Sequence, residues 1–207
     1  MKKQRCYIVG AGEFNVNIPP SPDDYVIAAD GGFAVLASIG VAPDLVVGDF
    51  DSLGRVPSHP NVIRCDAEKD DTDMLIAVKE GLKLGFKEFL LCGSLGGRLD
   101  QSYANIQILA YIAEKGARGT LIGKDIKITA IKDGKLMLPP ATGSKSAVIS
   151  VFSHSSVSEG VTLKGVKYPL DNATLTSEFP LGVSNELIGV EAVIEVRKGT
   201  LIIMHNS

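Results

Sequence analysis

The chain has 207 residues, 45% of them hydrophobic and 22% charged, with a formal net charge of −3. This is the composition of one large or two small globular domains, each able to bury a core. Lys and Arg are scattered without a basic block, which argues against a nucleic-acid partner, and no apolar run reaches the length of a membrane span. The start, MKKQRCYIVGAGEF, is basic and then apolar, but its apolar run is too short for a signal peptide. Cys6, Cys65 and Cys92 are far apart and form no CxxC pair, so they read as thiols of a reducing compartment and the protein is expected in the cytoplasm.

The first 120 or so residues alternate apolar runs with helical patterns. RCYIVG (5–10) and DYVIAAD (24–30) end in Gly or Asp without alternation, as strands buried on both faces do. GGFAVLASIG (31–40) fits a short helix with Phe33, Leu36 and Ala37 on one face and Gly40 at its end. DLVVGD (44–49) and NVIRCD (61–66) are two more strands. Residues 72–85 predict a helix opened by Thr72 and Asp73, striped by Leu75, Val78 and Leu82, and closed by Gly85. EFLLCG (88–93) is a strand, and residues 100–119 predict a helix with Ile106, Leu109 and Ile112 inward and Gly116 as its stop. Strand, helix, strand, helix implies a parallel sheet with crossover helices.

Beyond residue 120 the pattern changes. TLIGKDIKITAIKDGKLMLP alternates apolar and polar residues, and its KDGK is a hairpin signal. The remaining runs are short, β-rich and punctuated by Gly, Pro, Ser and Asn, with no convincing helix. The expected fold is therefore an N-terminal parallel-sheet α/β domain, residues 1–135, followed by a C-terminal antiparallel β-sandwich, residues 136–207.

In open α/β sheets, ligands bind at the carboxyl ends of the strands. Four such ends are polar or glycine-rich here: AADGG (28–32), GDFDS (48–52), CDAEKDDTD (65–73) and CGSLGGRLDQ (92–101). Asp30, or the run Asp70 to Asp73, serves as well for a turn or helix cap as for a site. Asp49 and Asp51 are different. On a strand, residues i and i+2 point the same way, and two carboxylates about 4 Å apart repel by roughly 1–4 kcal/mol. A divalent cation removes that repulsion, and oxygen-only ligands select a hard ion, Mg2+ before Ca2+. The fourth stretch is a glycine loop entering a helix N-terminus, suited to phosphate, with Arg98 as a cationic fork. Lys69 offers a further phosphate contact. Together these are the equipment of magnesium-nucleotide chemistry.

ADGG, GDFDS, KDDTD and GSLGGRLDQ, in this order and with GVSNE (182–186) in a β-rich second half, resemble the thiamine pyrophosphokinase family. The resemblance spans nearly the whole chain and implies a homodimer that moves the diphosphate of ATP onto thiamine, giving thiamine diphosphate and AMP. It implies that Asp49, Asp51 and Asp73 hold Mg2+, and that Asp73, Arg98 and Asp100 serve catalysis, Asp100 through a second ion or a ligating water. It assigns Asp30, Gly31, Gly32, Lys69, Asp70, Thr72, Gly96, Gly97, Arg98 and Gln101 to the nucleotide. Ser184 and Asn185 match a segment of the thiamine pocket, which in the family lies between subunits. Some members pack a tryptophan on the ligand; this chain has none, and Tyr168 or Phe179 are the aromatic alternatives. Two other readings use the same residues: a DxD-type nucleotide-dependent transferase, which leaves GGRLDQ unexplained, and a non-catalytic nucleotide or thiamine sensor.

Overall fold

Apolar runs that lack alternation form the parallel strands. The computed structural model describes residues 3–14, 18–50, 54, 56–66, 68, 70–140 and 147–206. They fall into two units, Met1–Ile108 with Gly116–Lys124, and Leu109–Lys115 with Asp125–Ser207.

The first unit holds β1 (Arg5–Val9), β2 (Asp24–Ala29), α1 (Gly32–Ser38), β3 (Leu45–Gly48), β4 (Val62–Arg64), α2 (Asp73–Lys83), β5 (Glu88–Cys92), the first part of α3 (Leu99–Glu114) and β6 (Arg118–Ile122). Its strands are all parallel, in the order β6-β5-β1-β2-β3-β4. Both faces are covered. Tyr7 and Val9 of β1 join Leu36 of α1 in one core, while Cys6 lies against Gly81 of α2 on the other. The sheet begins at a charged tie: Arg5 donates to both carboxylate oxygens of Asp24, at 2.8 and 3.0 Å, and the Ser21 amide donates to the same carboxylate at 2.8 Å. Asp24 is buried, so its charge depends on these donors.

The helices lie where the patterns put them, with their inward faces turned slightly. In α2 the buried residues are Met74, Ala77, Val78 and Gly81, so Leu75 and Leu82 sit at the flank of the stripe and not at its centre. The helix opens on Thr72, whose hydroxyl accepts from the Leu75 amide, and it is followed by Gly85 in the left-handed region at φ 87°. In α1 Leu36 is buried, Phe33 is half-buried and Ala37 is exposed. In α3 Leu109 and Ile112 are buried as expected, Ile106 is half-buried, and Asn105 is buried in its place. Among the described residues no helix is long and apolar enough to cross a membrane.

The second unit is all β: β7 (Ile126–Lys132), β8 (Lys135–Leu138), β9 (Val148–Ser153), β10 (Val157–Lys164), β11 (Leu170–Thr176), β12 (Gly182–Glu186), β13 (Ala192–Glu195) and β14 (Thr200–Asn206). Its antiparallel strands run β12-β9-β14-β7 in one layer and β11-β10-β13-β8 in the other. Val151, Leu201 and Ile203 from the first layer meet Val161, Leu163 and Ile194 from the second in one core, which makes a sandwich. The KDGK turn does not close a hairpin. It carries the chain from one layer to the other, so β7 pairs with β14 and β8 with β13. Asp133, at φ 45°, accepts a hydrogen bond from the Gly199 amide at 2.7 Å, tying this turn to the next crossing between the layers.

Gly32 marks how closely α1 approaches β1. A Cβ there would lie 1.9 Å from the Val9 carbonyl oxygen, which is backbone and cannot step aside. Gly32→Ala is therefore expected to destabilise the protein by about 3 kcal/mol or more. Gly85→Ala, with nothing within 4 Å of the added atom, pays only for its positive φ, about 1–2 kcal/mol. Urea unfolding of the two variants checks the order.

Candidate active site

The strand order reverses between β1 and β5. The chain runs outward from β1 through β2 and β3 to β4, then returns to the opposite side of β1. Loops leaving β1 and β5 therefore diverge, and a crevice opens between them. Here the crevice is a cavity of about 700 Å3 within the first unit.

Its floor is backbone. Gly10 donates to the Cys92 carbonyl at 2.9 Å, Gly12 to Gly93 at 2.7 Å and Glu13 to Leu95 at 2.9 Å. A Cβ on Gly10 would lie 2.6 Å from the Gly93 oxygen, and one on Gly93 would lie 2.4 Å from the Gly10 oxygen. Beyond this crossing Gly96 and Gly97 stand at φ 82° and 64°, which only glycine adopts without strain. The amides of Gly96, Gly97 and Arg98 have no acceptor among the described residues. They precede α3, whose N-terminus adds a partial positive charge.

One wall is acidic. Asp49, Asp70, Asp71 and Asp73 line the cavity together with Asp30 and Thr72. The route by which Asp49 arrives differs from the alternation expected of a strand. β3 closes at Gly48, and Phe50 takes φ 63°, its ring buried in the core around Tyr7 and Leu36. The buried ring anchors a turn that leaves Asp49 on the cavity wall. Asp30 makes a similar bend at φ 45°, its amide donating to the Val47 carbonyl at 2.7 Å. Asp71 pairs with Lys79 of α2 at 2.5 Å, both half-buried. Asp51 and Lys69 lie outside the described residues. All the acidic wall's side-chain donors are oxygens, which fits a hard divalent ion. Among the described residues no three His, Cys, Asp or Glu side chains form a closed metal cluster.

Arg98 and Gln101 also line the cavity. Arg98 donates to both oxygens of Asp100, at 3.2 Å from Nε and 2.5 Å from Nη2. Asp100 also accepts from the Gln101 amide at 2.9 Å. Arg98 holds the Asp100 carboxyl below its ordinary range, and Asp100 raises the guanidinium in turn. Asp100 itself is not on the cavity wall, nor are Gly31 and Gly32. Gly31 instead precedes α1 and Gly32 admits it against β1. Ser94 and Leu95 of GSLGGRLDQ line the cavity as that motif implies, while Gly10, Ala11, Gly12 and Asn105 line it from outside the motifs read in the sequence. GAG after the first strand was the available signal, but its meaning depends on which strand sits beside β1.

The sandwich has a separate cavity of about 160 Å3, lined by Leu163, Leu170, Leu181, Val183, Tyr168 and Asn185 among others. Asn185 is 4% exposed and clamps the Tyr168 backbone: its Nδ2 donates to the Tyr168 carbonyl at 2.7 Å, and its Oδ1 accepts from the Tyr168 amide at 3.0 Å. Ser184 is not on this wall. It sits at φ 57° where β12 slips register against β9, its amide donating to the Ser150 hydroxyl at 3.0 Å. Tyr168 is 60% exposed, with the Lys167 ammonium 5.6 Å from its ring centre.

A parallel sheet with a backbone-floored anion loop facing an acidic wall, joined to a β-sandwich with an apolar cavity, defines a phosphate-handling α/β protein with a second ligand-binding domain. The comparisons make this particular. Residues 21–121 match the family model of the thiamin pyrophosphokinase catalytic domain, and residues 136–201 match that of the thiamin pyrophosphokinase vitamin B1 binding domain. A thiamine pyrophosphokinase of Bacillus subtilis is 30% identical over 187 residues, 87% of this chain and 86% of that protein. The crystal structure of thiamine pyrophosphokinase from Bacillus subtilis superposes with a TM-score of 0.84 at 27% identity, covering 99% of both chains. That of thiamin pyrophosphokinase from Geobacillus thermodenitrificans gives 0.84 at 26% identity, covering 99% of this chain and 98% of the other. The chain belongs to the thiamin pyrophosphokinase family.

Arg98 and Asp100 are 72% and 63% exposed at their side chains, so solvent screens their pairing. Arg98→Ala and Asp100→Asn are each expected to leave the unfolding midpoint essentially unchanged. Urea titration measures this, and a lowered midpoint would give the pair a structural role.

Proposed function

We propose that this chain makes thiamine diphosphate, transferring the diphosphate of ATP as one unit to the hydroxyethyl oxygen of thiamine and releasing AMP. The observation that carries the reading is the coincidence of two family matches with two cavities. The catalytic-domain match covers most of the wall of the larger one, and the vitamin B1 domain match covers the whole of the smaller.

The oxygen donors of Asp49 and Asp73 fit Mg2+, and the GDFDS motif offers Asp51 as a third ligand. When bound, Mg2+ neutralises phosphate charge and aligns the attacking and leaving oxygens. The chain's own residues do the rest by positioning. Amides of Gly96, Gly97 and Arg98 take phosphate oxygens, and the Arg98 guanidinium, presented as a fork, takes the charge that develops. Asp30, Asp70, Thr72 and Gln101 bound the nucleotide. Asp100 keeps Arg98 in place. The thiamine oxygen forms its bond to the β-phosphorus as the bond from that phosphorus to the AMP oxygen breaks, and the hydroxyl proton is released to solvent. In the sandwich, Tyr168 supplies the flat surface that a tryptophan gives other members, and Asn185 contributes by fixing the Tyr168 backbone, beside Ser184. The chain acts as a cytoplasmic homodimer with thiamine held between subunits.

Incubation with ATP, Mg2+ and thiamine is expected to give thiamine diphosphate and AMP in equal amounts by chromatography. ADP with thiamine monophosphate would make it an ordinary kinase, and binding without turnover a sensor. Asp49→Asn should lower kcat roughly 100-fold or more in a chain that still folds, since the carboxylate serves the ion. Tyr168→Ala should raise KM for thiamine about tenfold and leave KM for ATP in place, while Tyr168→Phe keeps both. Equal KM values in the alanine variant would remove Tyr168 from the pocket.

A further inference from the structure

Asn105 lies on the second turn of α3, is 6% exposed, and lines the larger cavity. Its Nδ2 donates to the Ser94 carbonyl at 2.7 Å. A carbonyl only accepts, so the nitrogen end of the carboxamide must face Ser94. This bond closes a ring of chain from residue 94 to residue 105, which contains the whole anion loop and the first turn of the helix behind it. Inside the ring stand Gly96 and Gly97 at positive φ, with open space around Gly97. Such a segment is soft, and the direction of its amides depends on what fixes its ends.

Three successive carbonyls are held at the root of the loop. Gly93 accepts from the Gly12 amide, Leu95 from the Glu13 amide, and Ser94, between them, from Asn105. The outer two bonds are backbone to backbone and survive most substitutions. The middle one rests on a single side chain. Because a peptide unit is planar and trans, holding the Ser94 carbonyl also fixes the Leu95 amide and the direction in which the chain enters Gly96.

We propose that Asn105 is a positioning residue for the nucleotide phosphates, acting through the Ser94 carbonyl to hold the 95–98 amides in their anion-binding arrangement. The role rests on the reading of this cavity as the ATP site and assigns Asn105 no contact with the reacting atoms. It also accounts for a carboxamide here in place of a carboxylate. Aspartate would set a negative charge against a carbonyl oxygen and beside the triphosphate, while alanine would leave the loop untied.

The test compares Asn105→Ala and Asn105→Asp with the native chain. Both are expected to lose about 100-fold in kcat/KM for ATP at about pH 8, with KM for thiamine unchanged and a single thermal transition above the assay temperature. The aspartate variant should recover relative to the native chain as the pH falls to about 5.5, because burial against the Ser94 carbonyl raises its carboxyl well above the ordinary range and the protonated form again donates, and the alanine variant should not. Calorimetric titration with Mg-ATP in the absence of thiamine should show a Kd raised about tenfold in both at about pH 8. ATP parameters within twofold of native, losses shared equally between ATP and thiamine, or no recovery of the aspartate variant at low pH would each overturn the role. Should the native chain make no thiamine diphosphate, the reading of the reaction fails, while the Mg-ATP titration still decides the place of Asn105.

Discussion

The active-site cavity exists because two backbones touch. β1 and β5 are neighbours at the point where the sheet order reverses, and loops leaving such strands ordinarily splay apart. Here the ladder continues one step past the strand ends, through Gly10, Gly12 and Gly93, each at a distance from its neighbour's carbonyl that no Cβ could occupy. The diverging loops thus share a floor of main-chain atoms. A floor of that kind offers amide donors at fixed height with no side chain to fill the space above them, which suits an anion whose oxygens must approach closely.

The charge balance follows from what surrounds that floor. Five aspartates line the cavity, and Arg98 is the only basic residue on its wall among the described residues. Lys79 pairs with Asp71, and Asp30, Asp49 and Asp73 also have partners within the chain. A triphosphate entering unaccompanied would meet mostly like charge, and bringing unit charges within 4 Å costs on the order of 1–4 kcal/mol each at the dielectric of a protein surface. The proposed divalent ion would convert the same wall from repulsive to attractive toward phosphate. Arg98 meanwhile is already forked onto a carboxylate. The exposed pairing is worth little, which leaves the guanidinium oriented and readily exchanged onto phosphate.

How much of this was legible in the sequence depends on the range of the interaction that sets each feature. The parallel strands were, because an apolar run without alternation has to be covered on both faces, and Cys6, Tyr7, Ile8 and Val9 are all buried. Thr72 was, because capping is decided within three residues. The turn at Phe50 was not. A phenylalanine at φ 63° is tolerated only because its ring reaches a core built from Tyr7, Val26 and Leu36, all distant in sequence. The KDGK turn misled for the same reason. Its local chemistry is that of a hairpin, yet Gly199, sixty-six positions on, ties it to a crossing between layers. Gly31 and Gly32 were legible as special and illegible as to why, since the atom that demands Gly32 is the Val9 carbonyl.

The two cavities divide along the same line. The larger cavity is lined by main-chain amides and short carboxylates at strand ends, so it is written in contiguous motifs such as GDFDS and GSLGGRLDQ. The smaller cavity has a shaped apolar wall instead, assembled in the sandwich from β10, β11, β12 and the turn that carries Tyr168. The turn is held by Asn185, seventeen positions away, through both ends of its carboxamide. A motif search sees Asn185 as a polar residue beside a ligand. The structure spends its polarity on the backbone, so a tyrosine is fixed at the rim of a cavity in a chain without tryptophan. A carboxamide that satisfies one residue's N–H and C=O together fixes the two peptide planes on either side of that residue, and the ring it carries inherits the placement.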